Sequence, residues 1–340
     1  MEYCGEYNLK KHSTLRIGPT NAHVVFIDTV DDISKALKLA KELGLTIYPL
    51  GGGSNTVFDD NVASTHIFLI PRIKGVSIIK EGTEKTCVQI FAGEVWDDAV
   101  EKTVSLNLSG IETLSGIPGL TGSSPVQNIG AYGSELKDTL ETVYAYYLRE
   151  KKLIEFTNNE CKFGYRDSIF KRNPGHYFIY AITLKLSKKP PPIPEYKDLK
   201  AFFEEKNITH PTSAKIREAI LNIRNNKLPN PKEIPNAGSY FKNPIISKKE
   251  ADVLKIKFPE MPMFPNERGS VKIFAGWLID KAGLKGVMQN NFGIHKNHAL
   301  VLVGNGSGTL EELITCEKNI TDKVYSLFGI KLEREPVIVS

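Results

Sequence analysis

The sequence contains few cysteines, and none of them lie close together. Only four occur among 340 residues, at positions 4, 87, 161 and 316. This pattern offers neither the CxxC spacing of a zinc site nor the cysteine density of a disulfide scaffold. We therefore expect free thiols, a cytoplasmic location and no structural metal.

Long hydrophobic runs are also missing. No stretch approaches the roughly 20 apolar residues of a membrane-spanning helix, and the first residues lack an apolar run of signal-peptide length. We therefore expect no membrane partner and no export. The net charge is +5, but the Lys and Arg residues are spread along the chain instead of forming a basic tract. This distribution argues against a nucleic-acid partner.

The overall composition is that of a folded globular protein, with 41% hydrophobic and 24% charged residues. Because single cores stop growing beyond roughly 250 to 300 residues, a chain of 340 residues indicates more than one domain. The stretch KKPPPIPEYKDL marks the clearest boundary, since proline continues neither a helix nor an inner strand. We expect a first domain at 1–190 that divides near residue 70, a linker, flap and helix at 191–228, and a C-terminal domain at 229–340. The last strand could return to the first domain.

Local patterns indicate a mixture of helices and strands. HVVFI and LTIYPL are predicted strands on either side of an amphipathic helix that begins with a capping-box-like Thr29 and Asp32 and ends at Gly44. CVQIFAG, TVYAYYL and YFIYAITLKL are further predicted strands. A long helix is expected after Thr309, where Glu312 completes a capping box, and the chain closes on the strand-like LEREPVIV.

Two glycine-rich segments are candidate ligand-binding loops. PLGGGSN, residues 49–55, follows a predicted strand, but it lacks both the third glycine of a dinucleotide fingerprint and the Gly-Lys-Ser/Thr of a phosphate loop. On chemistry alone, phosphate binding and an ordinary loop are equally good explanations. The second segment, residues 110–133, is long and poorly periodic, as functional loops often are. Its glycines would let the backbone approach a flat or pyrophosphate-bearing ligand closely.

Three polar patterns are ambiguous by themselves. Arg166 in CKFGYRDSIFK can bind a carboxylate, but a surface salt bridge with Asp167 is the more common arrangement. Ser239 in NAGSYFKNP lacks the G-x-S-x-G spacing of a nucleophile elbow and is, taken alone, a turn or cap residue. His295 and His298 have no acidic or cysteine partner nearby in sequence, so we predict no metal site there.

In combination, these motifs carry more information. PLGGGSN, GIPGLTGSSPVQNIGAYG, FGYRDSIFK, NAGSYFKNP, AGWLIDKAGLKG and LEREPV occur in the order seen in the UDP-N-acetylenolpyruvoylglucosamine reductase family, which the chain resembles over nearly its whole length. The resemblance implies an α+β fold with an FAD-binding domain of the vanillyl-alcohol-oxidase/p-cresol-methylhydroxylase type, followed by a smaller α+β substrate-binding domain. It also implies reduction of the enolpyruvyl ether of UDP-N-acetylglucosamine to UDP-N-acetylmuramate, with NADPH as co-substrate, for peptidoglycan synthesis.

The resemblance also implies roles for individual residues. Catalysis would rest on Arg166, Ser239 and Glu335, with hydride supplied by reduced FAD and a proton supplied by Ser239. Noncovalent FAD would contact two sets of residues: Gly51, Gly52, Gly53, Ser54 and Asn55 at its pyrophosphate, and Gly122, Ser123, Ser124 and Ile129 along its length. Substrate would contact three further residues: Tyr196, Lys227 and Asn243.

Tyr196 is typical of the family branch with a mobile flap over the substrate. Lys197 stands where that branch has a glycine, which leaves the flap geometry open. The stretch MQNNFGIHKNH keeps only the outline of the family loop, so we assign no contact there. The oligomeric state has no sequence signature, and we take a monomer as the expectation.

Two alternative functions fit parts of the sequence. An FAD-linked sugar or alcohol oxidase would share the fold group, but the serine loop and the terminal acid argue against it. A non-catalytic UDP-sugar sensor would have no need of Arg166, Ser239 and Glu335 together.

Overall fold

A computed structural model of the protein describes residues 1–266 and 269–340. The chain forms two compact units from noncontiguous segments. The first unit comprises Met1–Tyr7, Asn21–Gly52 and Ala63–Asn226, and the second comprises Asn8–Thr20, Gly53–Val62 and Lys227–Ser340. Two short N-terminal segments thus pack with the C-terminal part of the chain. The contiguous domain limits given above remain a prediction.

The strands, in chain order, are β1 Glu2–Tyr7, β2 Ala22–Ile27, β3 Thr46–Pro49, β4 Thr56–Phe58, β5 His66–Pro71, β6 Val76–Glu81, β7 Lys85–Phe91, β8 Gly130–Ala131, β9 Ser134–Glu135, β10 Leu140–Tyr147, β11 Lys152–Thr157, β12 Tyr177–Ser187, β13 Asn236–Ser239, β14 Ile245–Ile246, β15 Met263–Pro265, β16 Val271–Ile273, β17 Met288–Gln289, β18 Phe292–Ile294, β19 Val301–Gly304 and β20 Val337–Val339.

The α-helices are α1 Leu9–His12, α2 Asp31–Leu43, α3 Val62–Thr65, α4 Trp96–Ser105, α5 Ile169–Arg172, α6 Lys197–Glu205, α7 Ser213–Lys227, α8 Lys248–Lys257, α9 Ala275–Lys281 and α10 Leu310–Phe328. None of these helices, within the residues described, has the length and apolar content needed to cross a membrane.

The first unit contains a four-stranded sheet in the order β1-β2-β5-β3. Strands β2, β5 and β3 are parallel, as expected when a helix connects strands, and α2 is that connection after β2. Its apolar face, with Ile33 and Ala36 fully buried, packs on the sheet. The Asp32 carboxylate accepts the Thr29 N–H at 3.0 Å, and Gly44 ends the helix with φ 69°. The predicted strand–helix–strand is therefore confirmed.

A second sheet of the first unit is antiparallel, in the order β11-β10-β12-β7-β6. Helix α4 packs on it through Trp96 and Val100. The glycine-rich 110–133 segment is ordered against α4, because the Trp96 indole N–H donates to the Leu114 carbonyl at 3.0 Å. Ile111, Leu114 and Ile129 are buried, which agrees with the apolar content of this segment.

Helix α7 joins this unit through a buried ion pair. The Arg217 guanidinium binds both carboxylate oxygens of Asp97 on α4, at 2.9 Å for the Nη2 atom, and the side chain of Arg217 is only 10% exposed. The Gly116 N–H donates to the same carboxylate at 2.6 Å. One aspartate therefore connects α4, the glycine-rich segment and α7.

The second unit has a four-stranded antiparallel sheet, β13-β19-β18-β17, and a three-stranded sheet, β14-β16-β15. Its last strand, β20, pairs in parallel with β4. Helix α10 covers the core. Thr309 and Glu312 form the predicted capping box, and Gly329 ends the helix with φ 68°, so these predicted features of the helix are confirmed.

Candidate active site

Gly51 and Gly52 lie directly against the second glycine-rich segment. A Cβ atom on Gly51 would lie 1.6 Å from the Ser123 Oγ, and one on Gly52 would lie 3.0 Å from the Gly119 Cα. Both positions thus favour glycine, because a side chain would overlap the Ser123 hydroxyl at Gly51 and press on the Gly119 backbone at Gly52. The contact brings together two of the segments expected to bind FAD.

A small cleft opens beside this contact. It is lined by residues from three strand ends and from the glycine-rich segment: Pro49, Leu50, Gly51, Leu69, Pro71, Gly122, Ser123, Val126, Tyr177, Phe178 and Ile179. The lining combines glycines and a serine with apolar and aromatic side chains, a mixture that suits a ligand with a pyrophosphate and a flat ring system. The residues present therefore fit FAD.

Ser124 and Ile129 occupy more buried places in the same segment. The Ser124 hydroxyl donates to the Thr121 carbonyl at 2.7 Å, and the Ile129 side chain is buried in the core. The Ile129 N–H donates to the Ser124 carbonyl at 3.1 Å. These two residues shape the loop around Gly122 and Ser123.

The remaining residues of the GGGSN loop belong to the second unit. Gly53 has φ 68°, and its carbonyl accepts the Thr14 N–H at 3.2 Å. The Ser54 carbonyl accepts the Thr14 hydroxyl at 3.3 Å. The Asn55 side-chain amide donates to the Glu335 carbonyl at 3.4 Å. Asn55 thus lies beside one of the predicted catalytic residues.

Arg166 stands in a tight turn of the first unit. Gly164 and Asp167 exchange backbone hydrogen bonds of 3.0 and 3.3 Å around it, and Arg166 has the left-handed φ of 54°. Its Nη2 donates to the Gly130 carbonyl at 2.6 Å. Asp167, the alternative salt-bridge partner, instead pairs with Arg172. A non-glycine residue with positive φ is unusual and is held in place by its surroundings.

Two residues that lie in the quoted motifs, but to which no role was assigned there, hold this turn. The Asn128 side-chain amide, fully buried, donates to the Gly164 carbonyl at 3.1 Å and to Glu135 at 2.9 Å. The buried Ser168 hydroxyl donates to the Val126 carbonyl at 2.6 Å. Together they join the Arg166 turn to the FAD segment. The sequence signal that could have pointed to this support is the position of Asn128 among the glycines of the 110–133 segment.

Ser239 ends strand β13 just after a bulge. The register shifts between Asn236 and Ser239, and Gly238 has φ 70° while its N–H bonds the Asn236 side chain at 2.9 Å. A residue with a Cβ would be strained at Gly238. In the residues described, no group hydrogen-bonds the Ser239 hydroxyl. The bulge therefore presents a serine whose hydroxyl has not been used by the fold.

Glu335 lies two residues before strand β20, in a segment that pairs with the residues after Ser239. Its N–H donates to the carbonyl of Tyr240 at 2.8 Å, and Tyr240 directly follows Ser239. Phe241 pairs with Arg334 in the same antiparallel arrangement. The structure therefore brings Ser239 and Glu335 together in the second unit, although 96 positions separate them in sequence.

The flap residue Tyr196 packs on aromatic and basic neighbours in the first unit. Its ring meets that of Tyr132 edge-on, with centroids 5.0 Å apart. Tyr132 lies close to Arg224, whose pKa is lowered by burial. Gly116 leaves room for Arg224, since a Cβ there would lie 2.9 Å from its Nε. Tyr132 lies in the motif GIPGLTGSSPVQNIGAYG, but the motif alone assigned it no role, and Arg224 stands in no motif.

Lys227, Asn243 and the histidine stretch belong to the second unit. The Asn243 side-chain oxygen accepts the Ala275 N–H at 3.0 Å at the start of α9. The pKa of His298 is lowered, first by burial and then by the positive charges of His295, Lys227 and Lys285. These charges form a basic cluster that suits a phosphate-bearing ligand. The described residues contain no group of three His, Cys, Asp or Glu side chains that could hold a metal.

Comparison with known proteins identifies the family. Residues 230–339 match the model of the UDP-N-acetylenolpyruvoylglucosamine reductase C-terminal domain, and residues 21–148 match that of an FAD-binding domain. A reductase of this name from Flavobacterium johnsoniae is 39% identical over 341 residues, covering 100% of both chains. This chain belongs to the UDP-N-acetylenolpyruvoylglucosamine reductase family. It is an FAD-dependent oxidoreductase, as the motifs predicted.

Other members of the reductase family agree. The reductase from Pseudomonas aeruginosa is 37% identical over 335 residues, covering 98% of this chain and 97% of the relative. The crystal structure of the UDP-N-acetylenolpyruvylglucosamine reductase from Thermus caldophilus aligns with a TM-score of 0.66 at 20% identity, covering 100% of this chain and 98% of that one. The predicted fold, an FAD-binding domain followed by a smaller reductase-specific domain, is confirmed.

Proposed function

We propose that the protein reduces UDP-N-acetylenolpyruvoylglucosamine to UDP-N-acetylmuramate for peptidoglycan synthesis, with NADPH as the electron source. The observation that carries the proposal is the 2.8 Å hydrogen bond from the Glu335 N–H to the Tyr240 carbonyl. It joins the segment that carries the Ser239 hydroxyl to the segment that carries the Glu335 carboxyl group, within the part of the chain that matches the reductase C-terminal domain.

The cofactor assignment rests on the contact between the two glycine-rich loops. Gly51 and Gly52 on one side and Gly122 and Ser123 on the other would hold FAD noncovalently, with backbone N–H groups near its pyrophosphate. When bound, FAD supplies the hydride that adds to the terminal alkene carbon of the substrate. Negative charge then develops on the adjacent carbon and its carboxylate.

Arg166 meets this developing charge. Its guanidinium is planar and can bind a carboxylate through two parallel N–H donors, and one of its nitrogens is already fixed by the Gly130 carbonyl at 2.6 Å. Because the turn holds Arg166 before the substrate arrives, the arginine does not need to be reorganised during the reaction. Its role is to stabilise the enolate.

Ser239 donates the proton that completes the reduction. A serine hydroxyl is a weak acid, but the carbon that it protonates is strongly basic, so the transfer is favourable in an organised site. Glu335 assists by stabilising the enolate or by orienting the proton donor. No histidine is needed in this scheme.

Further positions of the family motifs would bind the remainder of the substrate. Lys227, with the basic cluster around His298, suits the diphosphate, and the Asn243 amide suits the sugar hydroxyls. Tyr196, whose ring packs edge-on against that of Tyr132, would close over the substrate. A lysine suits an anion and an aromatic side chain suits a ring, which are groups that a UDP-sugar offers.

The test is an anaerobic two-step experiment on the FAD-loaded protein. NADPH should bleach the flavin absorbance, and the enolpyruvyl substrate should restore it. The variant Ser239→Ala should bleach normally but recover about 10² to 10⁴ times more slowly, which is the usual contribution of a positioned proton donor. Glu335→Gln should also spare the bleaching step.

The matched control is Ser326→Ala, which removes an exposed helix hydroxyl that bonds only locally to Lys323. It should behave as wild type in both steps. Recovery of Ser239→Ala at the wild-type rate would refute its role as proton donor. Rapid oxygen consumption with a simple sugar would instead indicate an oxidase, and a colourless protein that binds UDP-sugars would indicate a sensor.

A further inference from the structure

Glu317 is a carboxylate at an unusual place on helix α10. It lies between the buried residues Cys316 and Ile320 on the core side of the helix, and only 19% of its side chain is exposed. A charge in such a position is costly unless hydrogen bonds compensate it. The partners of Glu317 therefore indicate why a carboxylate stands there.

Both partners adjoin the proposed catalytic residues. The Tyr240 hydroxyl donates to the Glu317 Oε2 at 2.8 Å, and the Arg334 Nη1 donates to the same oxygen at 3.0 Å. Tyr240 directly follows Ser239, and Arg334 directly precedes Glu335. The Glu317 carboxylate thus binds the chain neighbour of Ser239 and the chain neighbour of Glu335.

The backbone pairing at this point is short and needs support. It consists of the Glu335 N–H bond to Tyr240 and the Lys242 N–H bond to Glu333, both 2.8 Å. Isolated two-stranded pairings of this length are marginally stable. Tyr240 is fully buried, and its pKa is raised by burial and by the Glu317 charge, so its hydroxyl remains a donor at neutral pH.

We propose that Glu317 is a positioning residue for the reduction: it clamps the segment that carries Ser239 to the segment that carries Glu335 through Tyr240 and Arg334. The clamp rests on the proposed function of Ser239 and Glu335. In this role, Glu317 contacts neither substrate nor FAD. It acts by fixing the backbone from which the two catalytic side chains extend.

The test uses the FAD-loaded protein and the variants Glu317→Leu and Glu317→Gln. A displacement of about 1 Å at a catalytic group can cost about 100-fold in rate, so Glu317→Leu should slow flavin reoxidation by substrate about 10- to 100-fold. FAD content, flavin reduction by NADPH and KM for substrate should stay within about 3-fold of wild type. Glu317→Gln keeps a neutral acceptor for Tyr240 and should recover most of the loss.

Two further measurements separate positioning from general destabilisation. Amide hydrogen exchange in peptides covering 240–242 and 333–335 should become about tenfold faster or more in Glu317→Leu, while the β18–β19 pairing is unchanged. The solvent deuterium isotope effect on reoxidation should increase, because proton transfer from a misplaced Ser239 becomes rate-limiting. The control Asp322→Leu removes an exposed carboxylate of the same helix and should change neither quantity.

The outcomes distinguish this proposal from the proposed function. Wild-type reoxidation by Ser239→Ala would refute the proton-donor role itself. Slow reoxidation by Ser239→Ala together with wild-type rate, exchange and isotope effect in Glu317→Leu would overturn the clamp alone. If Glu317→Leu fails to fold, Tyr240→Phe removes one arm of the clamp, and a wild-type isotope effect and exchange rate in that variant would overturn it equally.

Discussion

The close approach of Gly122 to strand β7 allows a quantitative test of the FAD cradle. The Gly122 N–H donates to the Ala92 carbonyl at 3.0 Å. A Cβ on Gly122 would lie 2.7 Å from the Ala92 Cβ and 3.3 Å from both the Ala92 Cα and the Ile179 carbonyl oxygen. These neighbours are backbone or Cβ atoms, so no side-chain rotation can relieve the overlap.

The expected magnitude for Gly122→Ala follows from two opposing effects. Overpacking a rigid site costs about 1 to 3 kcal/mol. The lower entropy of alanine in the unfolded chain offsets about 0.4 to 1 kcal/mol, since Gly122 is not at positive φ. We expect a net loss of about 1 to 2 kcal/mol in unfolding free energy, together with reduced FAD retention, because the loop must shift away from β7.

A size swap makes the prediction sharper. In the double variant Ala92→Gly/Gly122→Ala, the nearest Cβ is removed and the remaining distance is 3.3 Å, to the Ile179 carbonyl oxygen and the Cα of residue 92. Gly122→Ala should then lower the free energy of unfolding by less in the Ala92→Gly background than in the wild type. The expected coupling energy between the two substitutions is about 1 kcal/mol. FAD retention should recover in parallel.

The assays are urea denaturation of the FAD-loaded protein and flavin absorbance per chain after gel filtration. The control Gly276→Ala places its Cβ 3.6 Å from the nearest atom, within a helix, and should be neutral or slightly stabilising. If the effects of Ala92→Gly and Gly122→Ala on the free energy of unfolding are additive, the proposed overlap between these two positions is refuted. Wild-type stability of Gly122→Ala would refute it as well.

Three further predictions concern charge and reactivity. Asp97→Ala leaves the buried Arg217 without its carboxylate and should cost about 3 kcal/mol in urea denaturation; a loss below about 1 kcal/mol, the usual value of a surface pair, would contradict this. Burial lowers the pKa of His298 and leaves it neutral at pH 7, so affinity for UDP should rise as the pH falls into the acid range and the imidazole gains charge. Calorimetry on His298→Gln should show a flatter pH dependence, and an unchanged slope would exclude this histidine. Burial raises the pKa of Cys161 to about 12 and of Cys316 to about 11, so neither should react with a thiol-specific reagent at pH 8 until urea is added; labelling of either in the native protein would disprove their protection.

Local signals in the sequence predicted much of the fold. Helix α10 was recognised from its capping box at Thr309 and its stop at Gly329, and α2 from its apolar face and Gly44. Such features depend on neighbours within about one or two helical turns, so the chain itself encodes them. The glycine-rich segments were recognisable for the same reason, since glycine marks places where a side chain has no room.

Local sequence signals did not indicate which segments of the chain pack together into each unit. Segments 8–20 and 53–62 pack with the C-terminal part of the chain, and no change of composition marks either of them. Proline-rich KKPPPIPEYKDL looked like the clearest boundary, yet α6 and most of α7 beyond it pack with the first unit. Contacts between segments that are distant in sequence decide which segments form a unit. The hydrophobic periodicity of the sequence does not indicate these contacts.

The sequence by itself determined helices α2 and α10, the positions of the tight glycines and, through its ordered motifs, the family. Only the tertiary structure decided which side chains support the catalytic ones. The Asn128–Gly164 and Ser168–Val126 hydrogen bonds hold the Arg166 turn, and each joins residues about 40 positions apart in sequence. Glu317 holds the neighbours of Ser239 and Glu335 from a helix. The physical reason is that a buried hydrogen bond depends on where its partner lies in space, and an asparagine, serine or glutamate gives no indication of that place until the chain has folded.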